Sequence, residues 1–167
     1  LVSRTMSLDK IADKVEMLMR PQTDEKNITF ELKRDYVRPI VVGDELRLSQ
    51  ILINIAGNAL KFTHENGKIT VRIQEVYSDN KAARIKFSIK DNGIGISREN
   101  QKKIFIAFEQ AGQSSSSKYG GTGLGLAISN NFVHLMGGKL EVQSELGKGS
   151  EFCFEIKLSY PNKEESD

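Results

Sequence analysis

The sequence predicts an α+β fold, a two-layer sandwich in which one mixed, mostly antiparallel sheet is covered on a single face by helices. Three observations carry that expectation. Alternating apolar residues at Ile69, Val71, Ile73 and at Ile85, Phe87, Ile89 flank the turn-rich Ser78, Asp79, Asn80, the pattern of an antiparallel hairpin with one buried face. A second pair of strands is read around Leu140 and Val142 and over Phe152 to Leu158. Two longer segments, about Asp44 to Phe62 and Gly123 to Met136, read as core helices.

At 167 residues and 18.7 kDa the chain fits one domain with a sizeable core, and no internal repeat divides it. Lys and Arg number 24 against 22 Asp and Glu, a formal net charge of +2, and no block of like charges interrupts the sequence. That balance argues against nucleic acid and an anionic membrane as partners. No apolar run approaches the roughly 18 residues of a membrane span, and charges scattered through the N-terminus leave no signal-peptide core. A cytoplasmic location without direct membrane contact is expected. The single cysteine, Cys153, falls in the alternating run Phe152, Phe154, Ile156, Leu158 and reads as a partly buried strand thiol.

Taken in order, the chain opens with Leu8, Ile11, Val15, Leu18 and Met19 at helical spacing behind a cap at Ser7. Pro21 removes one helical hydrogen bond and is expected to kink or restart that helix. Ile28, Phe30 and Leu32 alternate as a half-buried strand, and an extended stretch near Ile40 to Val42 leads to Asp44, a good cap for the long helix. After the first hairpin, Asp91 to Gly95 is a glycine-rich turn and Arg98 to Phe108 is helical. Gln110 to Gly121, with Ser114, Ser115, Ser116 and Ser117, reads as mobile. Gly137 and Gly138 end the second core helix, and Pro161 to Asp167 reads as a linker.

The chemistry gathers in three places. Plotted at about 100° per residue, Arg47, Gln50, Asn54, Asn58 and Lys61 of the central helix fall within an arc of roughly 80°. Leu48, Leu52, Ile55, Ala59 and Phe62 lie to one side, and Leu46, Ile53 and Leu60 carry apolar surface further round. An ordinary solvated stripe would favour Glu and Lys over two asparagines one turn apart. An amide oxygen suits Mg2+ when a substrate's phosphates bring the negative charge, so Asn58 is the candidate metal ligand and Lys61 is spaced to meet the phosphates. Next, Asp91-Asn92-Gly93-Ile94-Gly95 closes a strand with glycines that permit positive φ and close approach of a ligand. Last, Gly120-Gly121-Thr122-Gly123-Leu124-Gly125-Leu126 opens directly into a helix, where free N–H groups and the positive dipole end can face a phosphate chain; close helix packing is the alternative reading. Neither glycine loop matches the Walker pattern or the dinucleotide fingerprint.

Together and in this order, these segments resemble the catalytic and ATP-binding domain of sensor histidine kinases, hybrid kinases among them, in the superfamily shared with type II topoisomerase ATPase subunits and heat-shock chaperones. The resemblance covers nearly the whole chain. Asp44-x-x-Arg47-Leu48-x-Gln50-Ile51-Leu52-x-Asn54-x-x-x-Asn58-Ala59-x-Lys61-Phe62-Thr63 is similar to the family's N box, and Asp91 to Gly95 to its first glycine box. Phe105 to Phe108 resembles the phenylalanine box, Gly121 to Gly125 the second glycine box, and Gly147-Lys148-Gly149-Ser150-x-Phe152 the closing glycine segment.

The resemblance implies a Bergerat-type fold that holds ATP between helices and a mobile lid. Asp91 would accept a hydrogen bond from the adenine amino group, which disfavours guanine. Asn54, Asn58 and Lys61 form the implied catalytic set: Asn58 on Mg2+, Asn54 beside metal and phosphates, Lys61 on phosphate charge. Phe62 would cover the adenine ring. Gly93, Ile94 and Gly95 pass close to the nucleotide, Gly121, Thr122, Gly123, Leu124, Gly125 and Leu126 form the hinge and phosphate nest, and Ser150 joins the ATP contacts. Phe105 and Phe108 anchor the lid, within which Lys118 reads as solvated.

The implied reaction is in-line attack of an imidazole nitrogen on the γ-phosphorus of ATP. His64 lies in the turn after the N box and His134 on a core helix, and both read as structural. The expected acceptor is therefore a histidine on a separate dimerisation domain of the same protein, with a response regulator receiver domain downstream. Residues 1–20 would comprise the connection from the dimerisation helices and the first helix, 21–160 form the ATP-binding domain and 161–167 the linker. Three alternatives stay open: a superfamily ATPase, disfavoured because Asn54 stands where those enzymes carry a glutamate; a serine kinase acting on a separate protein; and a nucleotide-sensing module without transfer.

Overall fold

The structure, a computed structural model, describes residues 1–110 and 120–162, and for residues 105–110 and 120–124 the backbone only. Its elements follow the order β1 (Arg4–Ser7), α1 (Leu8–Glu25), β2 (Thr29–Asp35), β3 (Ile40–Gly43), α2 (Glu45–Phe62), β4 (Lys68–Ser78), β5 (Ala82–Asp91), α3 (Arg98–Gln110), α4 (Gly120–Leu135), β6 (Glu141–Glu145) and β7 (Gly149–Ser159). The strands form one sheet in the order β1-β3-β7-β5-β4-β2, with β6 paired to β7. Only the β2–β4 pair is parallel among the described strands, and α2 lies in the crossover that such a pair requires.

The period-two pattern of the strands decides which face is covered. Ile69, Val71, Ile73, Ile85, Phe87, Ile89, Phe154 and Ile156 are buried together with Leu8, Ile11 and Val15 of α1, Leu48, Leu52 and Ile55 of α2, and Val133 of α4. The alternate positions, among them Arg72, Lys86, Lys90 and Glu151, stay polar on the opposite face. Phe87 and Phe154 stack at the centre with ring centroids 5.0 Å apart. On the helical side, Arg34 of β2 bridges to Asp9 and Asp13 of α1, tying the edge strand to that helix.

Several local expectations are corrected. The chain already runs as β1 before the Ser7 cap; four residues with only Met6 buried are too short for a legible alternation. The first helix does not restart at Pro21 but continues to Glu25. Proline withholds one N–H, on a helix side where Met17 is 67% exposed and open to solvent, and the Gln22 side chain supplies a further bond to the Leu18 carbonyl. Leu18 and Leu46, read as part of apolar stripes, are exposed, because the neighbouring elements cover only the faces marked by Met19 and Leu48. The last helix begins at Gly120 rather than Gly123, so its glycines lie within the first helical turns. It ends as expected, with Gly137 at φ +86° and the Gly138 N–H returning to the Val133 carbonyl.

Candidate functional site

Four strands contribute one inward row at the end of the sheet: Ile69, Asp91, Ser150 and Ser144 stand opposite one another across β4, β5, β7 and β6. Asp91 is 6% exposed. Burial pushes its carboxyl above the ordinary value, opposed by the N–H groups of Gly93 and Ser150, which favour the charged form. The Gly93 N–H lies 2.9 Å from Oδ1. A buried carboxylate at a strand end is thus held ready to accept hydrogen bonds.

The loop after Asp91 is clamped from two sides. A Cβ at Gly93 would stand 2.1 Å from the Phe62 carbonyl oxygen, and the Ile94 N–H donates to that same oxygen at 3.2 Å. Gly95 takes φ +73°, and a Cβ there would meet the Glu145 carbonyl at 2.1 Å. Both glycines therefore bring backbone against backbone, α2 on one side and the β6–β7 turn on the other, and only Gly95 of the two uses positive φ. The Gly147 N–H closes the clamp on the Ile94 carbonyl at 2.7 Å. Ile94 itself is 42% exposed.

Behind the loop lies a polar cluster of which motif reading singles out only Ser150. The Ser144 hydroxyl accepts from the Ile96 N–H at 2.7 Å and lies 2.8 Å from both the Gly149 carbonyl and the Ser150 hydroxyl. Gln101 of α3 donates to the carbonyls of Ile96 and Ser144. Serine and glutamine in a strand and a helix carry no local signature, and only the register of β6 against β7 brings them here.

The N-box helix α2 starts where the sequence places it, with the Asp44 carboxylate accepting from the Arg47 N–H at 3.0 Å. Burial acts to raise the Asp44 pKa but is outweighed by the Val2 and Arg47 N–H groups, leaving it lowered. Asn54 reaches toward α4, its amide 3.5 Å from the hydroxyl of the fully buried Ser129, a second polar residue without a motif signal. Asn58, one turn on, is half-buried, and its side chain makes no hydrogen bond to another described residue. Phe62 is 37% exposed, with the Lys61 ammonium 5.9 Å from its ring centre. Lys61 also lines an open cavity of about 510 Å3 with Gln22, Glu25, Lys26, Gly57 and Leu60, on the α1 side of the helix. Lys26 donates to the carbonyls of Leu60 at 2.7 Å and Thr63 at 3.1 Å, covering the negative end of α2.

Gly121, Thr122, Gly123 and Leu124 belong to the first turns of α4, followed by Gly125, where a Cβ would meet nothing within 4 Å among the described residues beyond its own helix, and the buried Leu126. Phe105 and Phe108 lie on α3. Ser114 to Ser117 and Lys118 lie outside the described residues. His64 and His134 are both exposed. Among the described residues no group of three or more His, Cys, Asp or Glu could hold a metal ion, and no helix is long and apolar enough to cross a membrane.

Residues 43–160 match the family model described as histidine kinase-, DNA gyrase B-, and HSP90-like ATPase. The chain belongs to this ATPase family. It is 41% identical over 160 residues to the signal transduction histidine-protein kinase BarA of Escherichia coli strain K12, a match covering 95% of this chain and 17% of BarA. The solved catalytic domain of the histidine kinase ThkA aligns with a TM-score of 0.76 and 28% identity, over 96% of this chain and all of that domain. Full-length ShkA in complex with AMPPNP aligns with a TM-score of 0.78 and 35% identity, over 96% of this chain and 32% of ShkA. The family's ATP-binding domain is thus shared by proteins several times longer than this chain.

Proposed function

We propose that this domain binds Mg-ATP and supplies the γ-phosphoryl group to a histidine on a separate dimerisation domain of the same protein, from which a response regulator receiver domain then takes it. The reading rests most directly on the docking of the C-terminal end of α2 against the Asp91 loop, which sets the aromatic ring of Phe62 and the buried carboxylate of Asp91 on neighbouring backbone segments. An aromatic face and a buried acceptor suit a purine bearing an amino group. Relatives support the same reading: ShkA was solved with AMPPNP, and ThkA in complex with its response regulator protein TrrA.

In this scheme Asp91 orients adenine and Phe62 covers it, while Gly93, Ile94, Gly95 and Ser150 shape the pocket. The amides of Asn54 and Asn58, one turn apart on α2, are neutral donors and acceptors fit for a cation that already carries phosphate oxygens. Mg2+ would be held by Asn58 with Asn54 adjacent, and it supplies charge neutralisation when bound. Lys61 neutralises phosphate charge and Gly121 to Leu126 offer the N-terminal turns of α4 to the phosphate chain. Position 54 has no carboxylate to activate water, which favours transfer over hydrolysis. The chain leads in from the dimerisation helices through residues 1–20, which also supply β1 and most of α1 to the fold, 161–167 serve as a linker, and the domain works in the cytoplasm.

Calorimetric titration of ATP, ADP and GTP with Mg2+ tests the nucleotide reading. Adenine-selective binding that is lost in Asp91→Ala is expected; absence of binding by the folded wild-type chain would leave a scaffold that no longer takes nucleotide.

A further inference from the structure

Helices α1 and α2 lie side by side and parallel. The Ser7 N–H at the start of α1 reaches the Glu45 carboxylate at the start of α2, and Lys26, just past the end of α1, reaches the Leu60 carbonyl near the end of α2. Each helix has 18 residues, so the pair runs for about 27 Å. Plotted at about 100° per residue, Leu46, Gln50, Ile53, Gly57 and Leu60 of α2 fall within an arc of roughly 80°. Leu46 is 56% exposed, Gln50 and Gly57 are exposed, and Ile53 and Leu60 touch the core with only part of their surface. Their alternating spacing, four residues and then three, is that of a seam at which another helix packs, with an aliphatic side chain at every seventh position.

The facing wall belongs to α1. Leu18, 39% exposed, shares a helix face with Gln22 and Glu25, and those two line the open cavity of about 510 Å3 together with Gly57 and Leu60. Gly57 is the telling residue. A glycine inside a helix is less stable there than alanine, yet a Cβ at this position would meet nothing within 4 Å among the described residues beyond its own helix. Packing within the described fold therefore gives no reason for it. Bare backbone in the floor of an open groove suits close approach by a segment from outside.

We propose that the groove between α1 and α2 seats an amphipathic helix of the histidine-bearing dimerisation domain, its apolar side chains over Leu18, Leu46, Ile53 and Leu60 and its backbone nearest at Gly57. The assignment rests on the phosphoryl-transfer reading above and deepens it by naming a docking surface. Two observations select this occupant. The Val2 N–H bonds to the carboxylate of Asp44, the cap of α2, at 2.9 Å, so the chain enters the fold beside the Leu46 end of the groove, and the match to this chain spans only 17% of BarA and 32% of ShkA. At the other end, Gly57 and Leu60 adjoin Asn58 and Lys61, the residues proposed to meet metal and phosphate. A helix lying along the groove thus runs from the point of chain entry to the flank of the proposed phosphate site.

The experiment titrates a fluorescently labelled dimerisation domain of the same protein with the wild-type chain, Gly57→Leu, Leu18→Glu and Tyr77→Glu, reading anisotropy, with ATP affinity and label transfer followed in parallel. Tyr77, 65% exposed on β4, is the control for an apolar residue outside the groove. Gly57→Leu fills the floor and Leu18→Glu charges the wall, and each should weaken docking roughly tenfold or more while ATP affinity holds. Tyr77→Glu should dock as the wild type does. Both variants alter exposed positions, and leucine favours the helix over glycine, so the fold is retained. Docking and transfer that proceed unchanged in both overturn the groove and leave the transfer reading standing. Equal weakening by Tyr77→Glu, or no docking by the wild type, also overturns it. Self-association of the wild-type chain in sedimentation, abolished by Gly57→Leu, would give the groove to a second copy and overturn the assignment. Docking that follows the predicted pattern while label never reaches the histidine strikes instead at the transfer reading. Should Gly57→Leu disturb ATP through its neighbour Asn58, Leu18→Glu on the other helix decides.

Discussion

Asp91 balances two opposed influences, desolvation that raises its pKa and the Gly93 and Ser150 N–H groups that lower it, with the net direction upward. Two consequences have opposite signs. A carboxyl whose folded pKa is raised contributes less to stability as pH climbs from its unfolded value through its folded one. In the role proposed for Asp91, nucleotide affinity needs the unprotonated acceptor and should be lost as pH falls through the raised value. ATP binding should therefore weaken on acidification at a pH above the ordinary aspartate value, and Asp91→Asn should flatten that dependence in a calorimetric pH series. At neutral pH, Asp91→Ala should lose tenfold to a hundredfold in ATP affinity, the equivalent of about 1.5 to 3 kcal/mol for a charge-assisted bond. Asp91 is legible in the sequence because it closes an alternating strand and opens a glycine turn. Ser129, Ser144 and Gln101 are not, because each becomes polar machinery only through partners brought from distant strands and helices.

Helix α2 is the element that pattern reading recovers most fully: its cap, its apolar face and its end all follow from side-chain spacing and from one aspartate. Asp44→Ala should cost about 1 kcal/mol of unfolding free energy by chemical denaturation at neutral pH, as loss of an N-cap does. The Asp44 pKa is lowered in the fold, so this contribution is present above the ordinary carboxylate value and vanishes as pH falls through the folded one. At the other end, Lys26 covers the carbonyls of Leu60 and Thr63, and Lys26→Met should destabilise by about 0.3 to 1 kcal/mol. Gly95→Ala should cost more, about 1 to 3 kcal/mol, because it combines a left-handed backbone with a clash against Glu145. The glycine loop's purpose was only half legible: its sequence announces close approach, and the structure supplies protein backbone on both sides. β1 and the continuation of α1 past Pro21 escape the pattern, since a four-residue strand and a single missing N–H leave too little periodic signal.

At the scale of the molecule, alternation foretells one covered sheet face but not the order of strands upon it. The parallel β2–β4 pair and the junction of β7 with β5, β6 and β3 are long-range registers, fixed by burial of the inward rows rather than by any local residue. Phe87 and Phe154 sit where those rows meet, and Phe87→Ala should cost about 3 to 5 kcal/mol, a large part of the stability of a domain this size, by thermal or denaturant unfolding. The sheet and its helices together hold the buried Asp91 carboxylate at one end, with the asparagines carried on α2. The function proposed for them is phosphoryl donation to another domain. The most direct measurement supplies this chain with γ-labelled ATP, Mg2+ and a separately made histidine-bearing dimerisation domain from the same protein, then follows the label. Acid-labile phosphate on the supplied histidine, absent from His64 and His134 and lost with Asn58→Ala or Asp91→Ala, is the predicted result; label that stays on ATP although the nucleotide binds, or that appears on this chain, would contradict the account.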